Sequence, residues 1–422
     1  MTFPKKREIR LLGTVEPGFE EIEDLFAASL RTQAEVNAQL CIYVGERCVI
    51  DLCGSAVGDK NYSFDTISNV FSSGKSLESI ALAWQVSESR LDYGARICDY
   101  WPEFSGDGKE NLSIADLMRH EAGLSALNVS IEPSDLWRES IKANKLGELL
   151  AAHPLRFRAD SPREYHALTR GWVANEIFRR VDPAGRTMGE FYRQDFCLEL
   201  GAQVYIGLEE SDLEKRSLVV PLSLSDHLRK SLVPRMMGRA VKHSVFELGA
   251  NLLPMMIGMR DRSTRGSPVP FVGMDSVGYF NTLAIAKGET PSANAHASAR
   301  SLARLAGVMA CEGEWMGKRY LSESAWNAMH AEPVYRSMGM QGTFCQGGVA
   351  EFAIPKTGSS RLARSLNVGR EGFYGWMGLG GSIFQWHPEK RIGFSFVPTG
   401  LHVLDILNER GKAFQSALVR LV

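Results

Sequence analysis

The order of strand-like and helix-like segments is the feature that most restricts the fold of this 422-residue chain. Apolar and β-branched runs lie at 40–52 and 382–397, and a short polar turn divides each of them, as in a β-hairpin. Between these runs, over about 76–330, apolar residues recur with helical spacing. A closing helix is predicted over 403–421. The sequence therefore predicts strands near both chain ends and a mainly helical middle.

A serine and a lysine, Ser72 and Lys75, stand where a strand-like stretch gives way to a helix. Positions three apart share a helix face, so the Lys75 ammonium can lie beside the Ser72 hydroxyl. A serine in the first helical turn lies near amides without helical partners, which suits a nucleophile whose attack generates an oxyanion. An S-x-x-K pair also arises by chance about once or twice in a chain of this length. However, no other lysine here has a serine three residues before it.

Competing motifs are incomplete in this sequence. Gly74-Lys75-Ser76 resembles the end of a phosphate-binding loop, but Asn69 stands where that loop needs its first glycine. No G-x-S-x-G sequence occurs, which argues against an α/β-hydrolase. The histidines are scattered and the cysteines form no C-x-x-C pair, so neither a metal site nor a cofactor is predicted.

Charge and hydropathy exclude several classes of partner. Lys and Arg number 48, and Asp and Glu number 49, which gives a net charge of −1 and no electrostatic reason to expect nucleic acid as a partner. The longest apolar run, 248–259, contains Pro254 and is too short to span a bilayer, so no integral membrane segment is predicted. The odd number of cysteines predicts reduced thiols, and the N-terminus lacks the apolar run of a secretory signal. These features favour a cytoplasmic location, with the basic N-terminal residues leaving a mitochondrial location as the weaker alternative.

Five later segments give the Ser72 and Lys75 pair a context. They are 99–104 (DYWPEF), 112–124 (LSIADLMRHEAGL), 165–172 (YHALTRGW), 291–300 (PSANAHASAR) and 375–382 (GWMGLGGS). In this order they resemble the motifs of serine β-lactamase-related hydrolases. That group includes class C β-lactamases, D-Ala-D-Ala carboxypeptidases, family VIII carboxylesterases and animal β-lactamase-domain proteins. The resemblance extends from about Gly13 to Val397 and is weakest at 225–265.

The resemblance implies an α+β fold of the β-lactamase/transpeptidase-like type. Residues 1–75 and 335–422 would form a discontinuous α/β lobe around an antiparallel sheet. Residues 76–334 would form a mainly helical lobe with an uncertain insertion at 225–265, which is either a methionine-rich cover of the cleft or an ordinary helical insert. The active site would lie in the cleft between the lobes, with Ser72 opening a central helix.

The resemblance also implies a role for each motif residue. Ser72 would be the nucleophile, Lys75 its proton partner and Tyr165 the general base. The backbone amides of Ser72 and Leu379 would form the oxyanion hole. The alternative for Tyr165 is a core tyrosine whose hydroxyl is hydrogen-bonded.

Substrate contacts would fall on Trp376, Gly378 and Ala167, and two of these residues depart from the family pattern. Ala167 replaces the asparagine of Y-x-N, and Trp376 replaces the lysine or histidine of the third motif. A K-T-G sequence occurs at 356–358, but its flanking residues predict a loop, so the run at Trp376 is the preferred motif strand. Trp376 can form a substrate wall or simply pack. Both departures favour neutral acyl esters over β-lactams.

The sequence thus predicts a serine hydrolase that acts on small-molecule carboxylic esters through an acyl-enzyme and is a poor β-lactamase. The alternative is a scaffold or polymer-forming protein that keeps the fold without physiological turnover. The physiological substrate, the acyl-chain length and a homo-oligomeric state all stay open at this point.

Overall fold

The computed structural model describes residues 9–32, 35–156, 163–223, 267–336, 338, 342–353, 361–403, 405 and 407–422. The predicted insertion at 225–265 and the K-T-G run at 356–358 lie outside the described residues. No helix in the described ranges is long and apolar enough to cross a membrane.

The strands of the large sheet come from both ends of the chain, as the sequence pattern predicts, and short strands also occur in the middle. They are β1 (Arg10–Val15), β2 (Asn37–Val44), β3 (Arg47–Ser55), β4 (Ile67–Asn69), β5 (Val204–Tyr205), β6 (Arg216–Ser217), β7 (Val220–Pro221), β8 (His296–Ala297), β9 (Glu314–Trp315), β10 (Lys318–Arg319), β11 (Val334–Tyr335), β12 (Thr343–Phe344), β13 (Ala350–Glu351), β14 (Tyr374–Met377), β15 (Ile383–His387), β16 (Ile392–Pro398) and β17 (Gly400–Leu401). The predicted hairpins correspond to β2 with β3 and β15 with β16.

One large antiparallel sheet has the strand order β1-β3-β2-β16-β15-β14-β13-β12-β11. Strands from the two ends of the chain meet inside this sheet, between its third and fourth strands, where β2 pairs with β16 and places Ile42 opposite Phe394. A smaller sheet has the order β5-β8-β4-β6 and holds the strand that leads to Ser72. The strand predicted from the sequence before Ser72 is therefore present, but shorter than the pattern suggested.

The helices lie mainly between the two groups of strands that form the large sheet. The α-helices span Glu20–Thr32, Lys75–Ser87, Ile97–Tyr100, Ile114–Met118, Arg138–Lys142, Lys145–Ala152, Thr169–Val181, Met188–Phe191, Cys197–Leu200, Leu283–Lys287, Ala299–Ala310, Glu323–His330, Arg361–Asn367 and Glu409–Leu421. Short 3-10 turns span Phe71–Gly74, Pro102–Phe104, Pro133–Leu136, Glu210–Lys215 and Val277–Asn281, and a π-helical turn spans Tyr192–Phe196.

Alternation along the strands sends side chains to two hydrophobic cores, one on each face of the large sheet. On β2, Cys41 and Tyr43 face the core that contains helix Ala299–Ala310. Leu40 and Ile42 face the other core, which contains residues of the first and last helices. The predicted two-lobe division at 75/76 and 334/335 stays a prediction, and helix Ala299–Ala310 packs on the sheet although it lies within the range predicted for the helical lobe.

Helix Lys75–Ser87 is buried along most of its length. It packs against helices Thr169–Val181 and Glu323–His330. Its sequence, with apolar side chains around most of the circumference, is typical of a helix enclosed by protein. The N-terminus of this central helix therefore has a fixed position, and Ser72 lies directly before it.

Candidate active site

A strained turn delivers Ser72 to the surface. Phe71 has a φ of +45°, which is uncommon for a bulky residue and typical of functional sites. Its amide donates to the Asn69 side-chain oxygen at 2.8 Å, and its ring packs on Phe280. Ser72 is partly exposed while its two neighbours are buried. Ser72 therefore lies in a 3-10 turn just before the helix, one turn earlier than the sequence predicted.

The structure brings Ser72, Lys75 and Tyr165 together. The Tyr165 hydroxyl donates to Ser72 Oγ at 2.9 Å, and Lys75 Nζ lies 3.5 Å from the same oxygen. Lys75 Nζ is also 4.8 Å from the centre of the Tyr165 ring. Two proton-bearing groups, the Tyr165 hydroxyl and the Lys75 ammonium, thus meet at Ser72 Oγ, which is the geometry that an activated nucleophile requires.

Lys75 is buried, with 1% of its surface exposed. Its ammonium donates to the carbonyl oxygens of Ala167 at 2.8 Å and Ser292 at 3.1 Å. Burial lowers the pKa of Lys75, and the nearby Tyr165 and Glu78 oppose that shift. Because burial disfavours its charged form, this lysine gives up its proton more readily than one in water.

A buried ion pair supports the turn that carries Lys75. Arg170 Nε donates to Glu78 at 2.7 Å, and both side chains are fully buried. The second Glu78 oxygen accepts from the Ser292 hydroxyl, while Arg170 also donates to the Lys75 carbonyl at 3.0 Å. Every one of these contacts involves a residue that the sequence analysis missed. The available signal was Glu78 itself, an acid on the face of a helix that is otherwise apolar and buried.

The two departures from the family pattern have clear positions. Ala167 is exposed, and its backbone carbonyl, not a side-chain amide, accepts the lysine hydrogen bond. Trp376 is 7% exposed, and its indole Nε1 donates to the Tyr165 hydroxyl at 3.3 Å. The predicted substrate contacts of both residues stay predictions, but contact between Trp376 and Tyr165 is a relation that the sequence did not reveal.

Leu379 follows β14 in a loop that packs against the Ser72 turn. Neither its amide nor that of Ser72 donates a hydrogen bond within the part of the chain that the structure describes. A side chain at Gly378 would place Cβ 2.2 Å from the Val70 carbonyl oxygen, so only glycine permits this approach. Two amides without partners, on two segments in contact, are what an oxyanion hole needs. The assignment of that role to Ser72 and Leu379 stays a prediction.

Two buried histidines lie behind Tyr165. The His120 ring is 5.0 Å from the tyrosine ring, and His120 Nδ1 accepts from the His166 amide at 3.1 Å. Burial lowers the pKa of His166 to about 4 and that of His120 well below its usual value. Both imidazoles are therefore neutral near pH 7 and fix the backbone that presents Tyr165. Among the described residues, no group of three or more His, Cys, Asp or Glu could hold a metal ion.

Comparison with known proteins gives the class of this chain. The Beta-lactamase family model matches residues 22–414, and the chain belongs to that family. The predicted resemblance, the β-lactamase/transpeptidase-like fold and the enzyme class are thereby confirmed: the chain is a β-lactamase-related serine hydrolase.

Particular relatives refine this picture. The chain is 28% identical over 407 residues to the esterase/β-lactamase LipL of Mycobacterium tuberculosis (strain ATCC 25618 / H37Rv), covering 92% of this chain and 82% of the relative. A solved penicillin-binding protein homologue from Caulobacter crescentus is 24% identical, with a TM-score of 0.72 and coverage of 98% of this chain and 100% of that one. A solved family VIII carboxylesterase is 23% identical, with a TM-score of 0.73 and the same coverage. These structures establish likeness of fold.

Proposed function

We propose that this protein hydrolyses carboxylic esters of small molecules through an acyl-enzyme on Ser72. The observation that carries the proposal is the meeting of the Tyr165 hydroxyl and the Lys75 ammonium at Ser72 Oγ, at 2.9 and 3.5 Å. The names of the similar proteins, an esterase/β-lactamase and a family VIII carboxylesterase, support the same class of substrate.

Tyr165 and Lys75 would share one proton in the acylation step. The deprotonated tyrosine takes the Ser72 proton while Ser72 Oγ bonds to the ester carbonyl carbon. The carbonyl oxygen becomes an oxyanion beside the amides of Ser72 and Leu379. Tyr165 then returns the proton to the leaving alkoxide, the ester C–O bond breaks and the alcohol departs. Lys75, close to the ring, compensates the negative charge that the tyrosine carries before each transfer.

Deacylation repeats these transfers with water. Tyr165 takes a proton from the water whose oxygen attacks the acyl carbon, and the second tetrahedral intermediate collapses by breaking the bond to Ser72 Oγ. That oxygen regains its proton from Tyr165, and the carboxylic acid leaves. The short distance between the two hydroxyls lets the proton move in either direction without a rearrangement of the site.

Neutral esters suit this cleft better than penicillins or cephalosporins. In the family the third motif supplies a cation or histidine, whereas here β14 supplies Trp376, whose indole donor is directed to Tyr165. Lys75 is already bonded to two carbonyl oxygens. A carboxylate that enters a partly dry cleft without a compensating cation is costly to desolvate. An ester without a charge avoids that cost.

The test compares substrates and labels the nucleophile. Purified protein is assayed on p-nitrophenyl butyrate and on a chromogenic cephalosporin, and intact-mass measurement follows its reaction with a fluorophosphonate. We expect ester turnover, one phosphonyl group on Ser72 and much lower kcat/KM for the cephalosporin. Ser87→Ala, at the far end of the same helix, is the matched control. A folded wild type that neither turns over esters nor labels would instead favour the scaffold alternative.

A further inference from the structure

The loop 378–382 between β14 and β15 carries the Leu379 amide in a tightly bonded turn. The Gly378 amide donates to the Ser382 carbonyl at 2.9 Å, and the Gly381 amide donates to the Gly378 carbonyl at 3.1 Å. The Gly378 carbonyl and the Leu379 N–H belong to one planar peptide group and point in opposite directions. Fixing the carbonyl therefore fixes the direction of the N–H.

Two side chains from the start of the last helix donate to the carbonyls of residues 380–382 in this loop. Arg410 Nη2 donates to the Gly380 carbonyl. Asn408 Nδ2 donates to the Gly381 carbonyl at 3.1 Å and approaches the Ser382 carbonyl at 3.4 Å. Both side chains are buried. The carbonyls of residues 380–382 thus accept hydrogen bonds from the last helix, while the Leu379 N–H donates to no partner in the described chain.

The two holding residues are themselves fixed. Arg410 Nη1 forms a buried ion pair with Glu35, and Asp405 lies 3.5 Å from Arg410 Nε. Asn408 adopts a left-handed conformation with a φ of +48°, and its side-chain oxygen accepts from the Gly411 amide at 3.3 Å. A buried arginine that is paired and bonded to a carbonyl is rigid, because any motion would leave polar groups unsatisfied.

On the opposite side, the same loop is tied to the Ser72 turn. The Ser382 hydroxyl donates to the Val70 carbonyl at 2.6 Å and lies 3.0 Å from Ser73 Oγ. A continuous series of contacts therefore joins the last helix, the loop and the turn that presents Ser72. The two amides expected in the oxyanion hole lie on the two segments that this series connects.

We infer that Arg410 and Asn408 are positioning residues of the hydrolytic site, which hold the Leu379 amide in the direction required to stabilise the oxyanion. This inference rests on the proposed function, since the amide matters only where an oxyanion forms. Loss of one oxyanion donor costs about 10²–10³ in kcat in a serine hydrolase. If the Leu379 amide is still present but its direction is less fixed, only part of this effect should be lost, and kcat should fall by about tenfold.

The first test variant is Asn408→Gly, because glycine tolerates the left-handed conformation and is an acceptable helix N-cap. The second is the double variant Glu35→Gln/Arg410→Gln, which removes the Glu35 and Arg410 charges together, while Asp405 keeps its hydrogen bond from the Glu409 amide. Asn367→Ala is the matched control, because Asn367 is also a buried asparagine whose amide donates to a carbonyl but does not contact the loop. Each folded variant is assayed for kcat and KM on p-nitrophenyl butyrate, for its fluorophosphonate labelling rate and for deuterium uptake over 378–382.

We expect about tenfold lower kcat and labelling rate in both test variants, KM within about twofold, and faster deuterium uptake in the loop. The control should match wild type in all four measurements. Unchanged uptake, or faster uptake with unchanged kcat and labelling, would overturn the positioning role. A wild type that fails to label at Ser72 would overturn the proposed function itself, and with it this inference, whatever the uptake data show.

Discussion

Two buried arginine–glutamate pairs flank the candidate site, and they differ in how completely they are satisfied. In the pair beneath Lys75, both Glu78 oxygens accept hydrogen bonds, from Arg170 and Ser292. In the pair behind the Leu379 loop, Glu35 Oε2 has no partner within the described chain, and burial raises the pKa of Glu35. The nucleophile side is thus supported by a closed polar network, and the oxyanion side by one that is incomplete.

The difference suggests how each half of the site tolerates change. A closed network strongly penalises removal of any member, because each remaining group is left buried without a partner. In an incomplete network, one buried group already lacks a partner in the wild type, so removing a further member adds a smaller penalty. Substitutions in the ion pair on the nucleophile side should therefore lower the stability of the protein more than substitutions in the ion pair on the oxyanion side.

The largest effect is expected from Ser72→Ala. Loss of the nucleophile should lower kcat on p-nitrophenyl butyrate by about 10⁴-fold or more and abolish fluorophosphonate labelling, while circular dichroism stays unchanged. Labelling that persists in the folded variant would move the nucleophile to another residue and remove the basis of the comparison.

Next come the proton-carrying groups of the nucleophile side. Tyr165→Phe and Lys75→Ala should each lower kcat by about 10²–10⁴-fold, the usual contribution of general acid–base groups. Because the two residues share one proton, the double variant should be little worse than the more damaged single variant. If the loss of kcat in the double variant equals the product of the losses in the two single variants, the two residues act independently.

The ion pairs themselves can be compared directly. Glu78→Ala should lower the free energy of unfolding by about 3–5 kcal/mol, since it leaves Arg170 buried and unpaired. Glu35→Ala should cost less, because one of its oxygens has no partner among the described residues and burial disfavours the charged form. Urea unfolding of the two variants and the wild type measures both values. Equal losses, or a larger loss for Glu35→Ala, would contradict the proposed difference between the networks.

The smallest effect is expected where Trp376 meets Tyr165. Trp376→Phe keeps an aromatic ring but removes the indole N–H, so kcat should fall only by about two- to tenfold, consistent with one neutral hydrogen bond. Trp376→Lys should weaken activity on neutral esters and introduce recognition of anionic substrates. Comparable kcat/KM for the cephalosporin and p-nitrophenyl butyrate in the wild type would show that Trp376 does not set the charge preference.

The local patterns in the sequence predicted much of the fold. The hairpins at 40–52 and 382–397 and the helical spacing over about 76–330 depend on patterns that neighbouring residues determine. The resemblance to a family predicted Tyr165, which the structure places beside Ser72. Glu78 pairs with a residue 92 positions away, and Arg410 with one 375 positions away. Local sequence patterns cannot predict such pairs, because the two residues come together only when the whole chain has folded.

The pairing of β2 with β16 has a consequence for synthesis of the chain. When β2 and Ser72 have left the ribosome, the strand that will cover the β2 edge has still to be made, since it spans Ile392–Pro398. Contacts of such long separation form late. The nascent protein therefore carries an open, apolar strand edge for most of its synthesis, a state prone to aggregation that chaperones can protect. A chain cut short before Ile392 would contain Ser72, Lys75 and Tyr165 and still lack the strand that joins its two ends into one sheet.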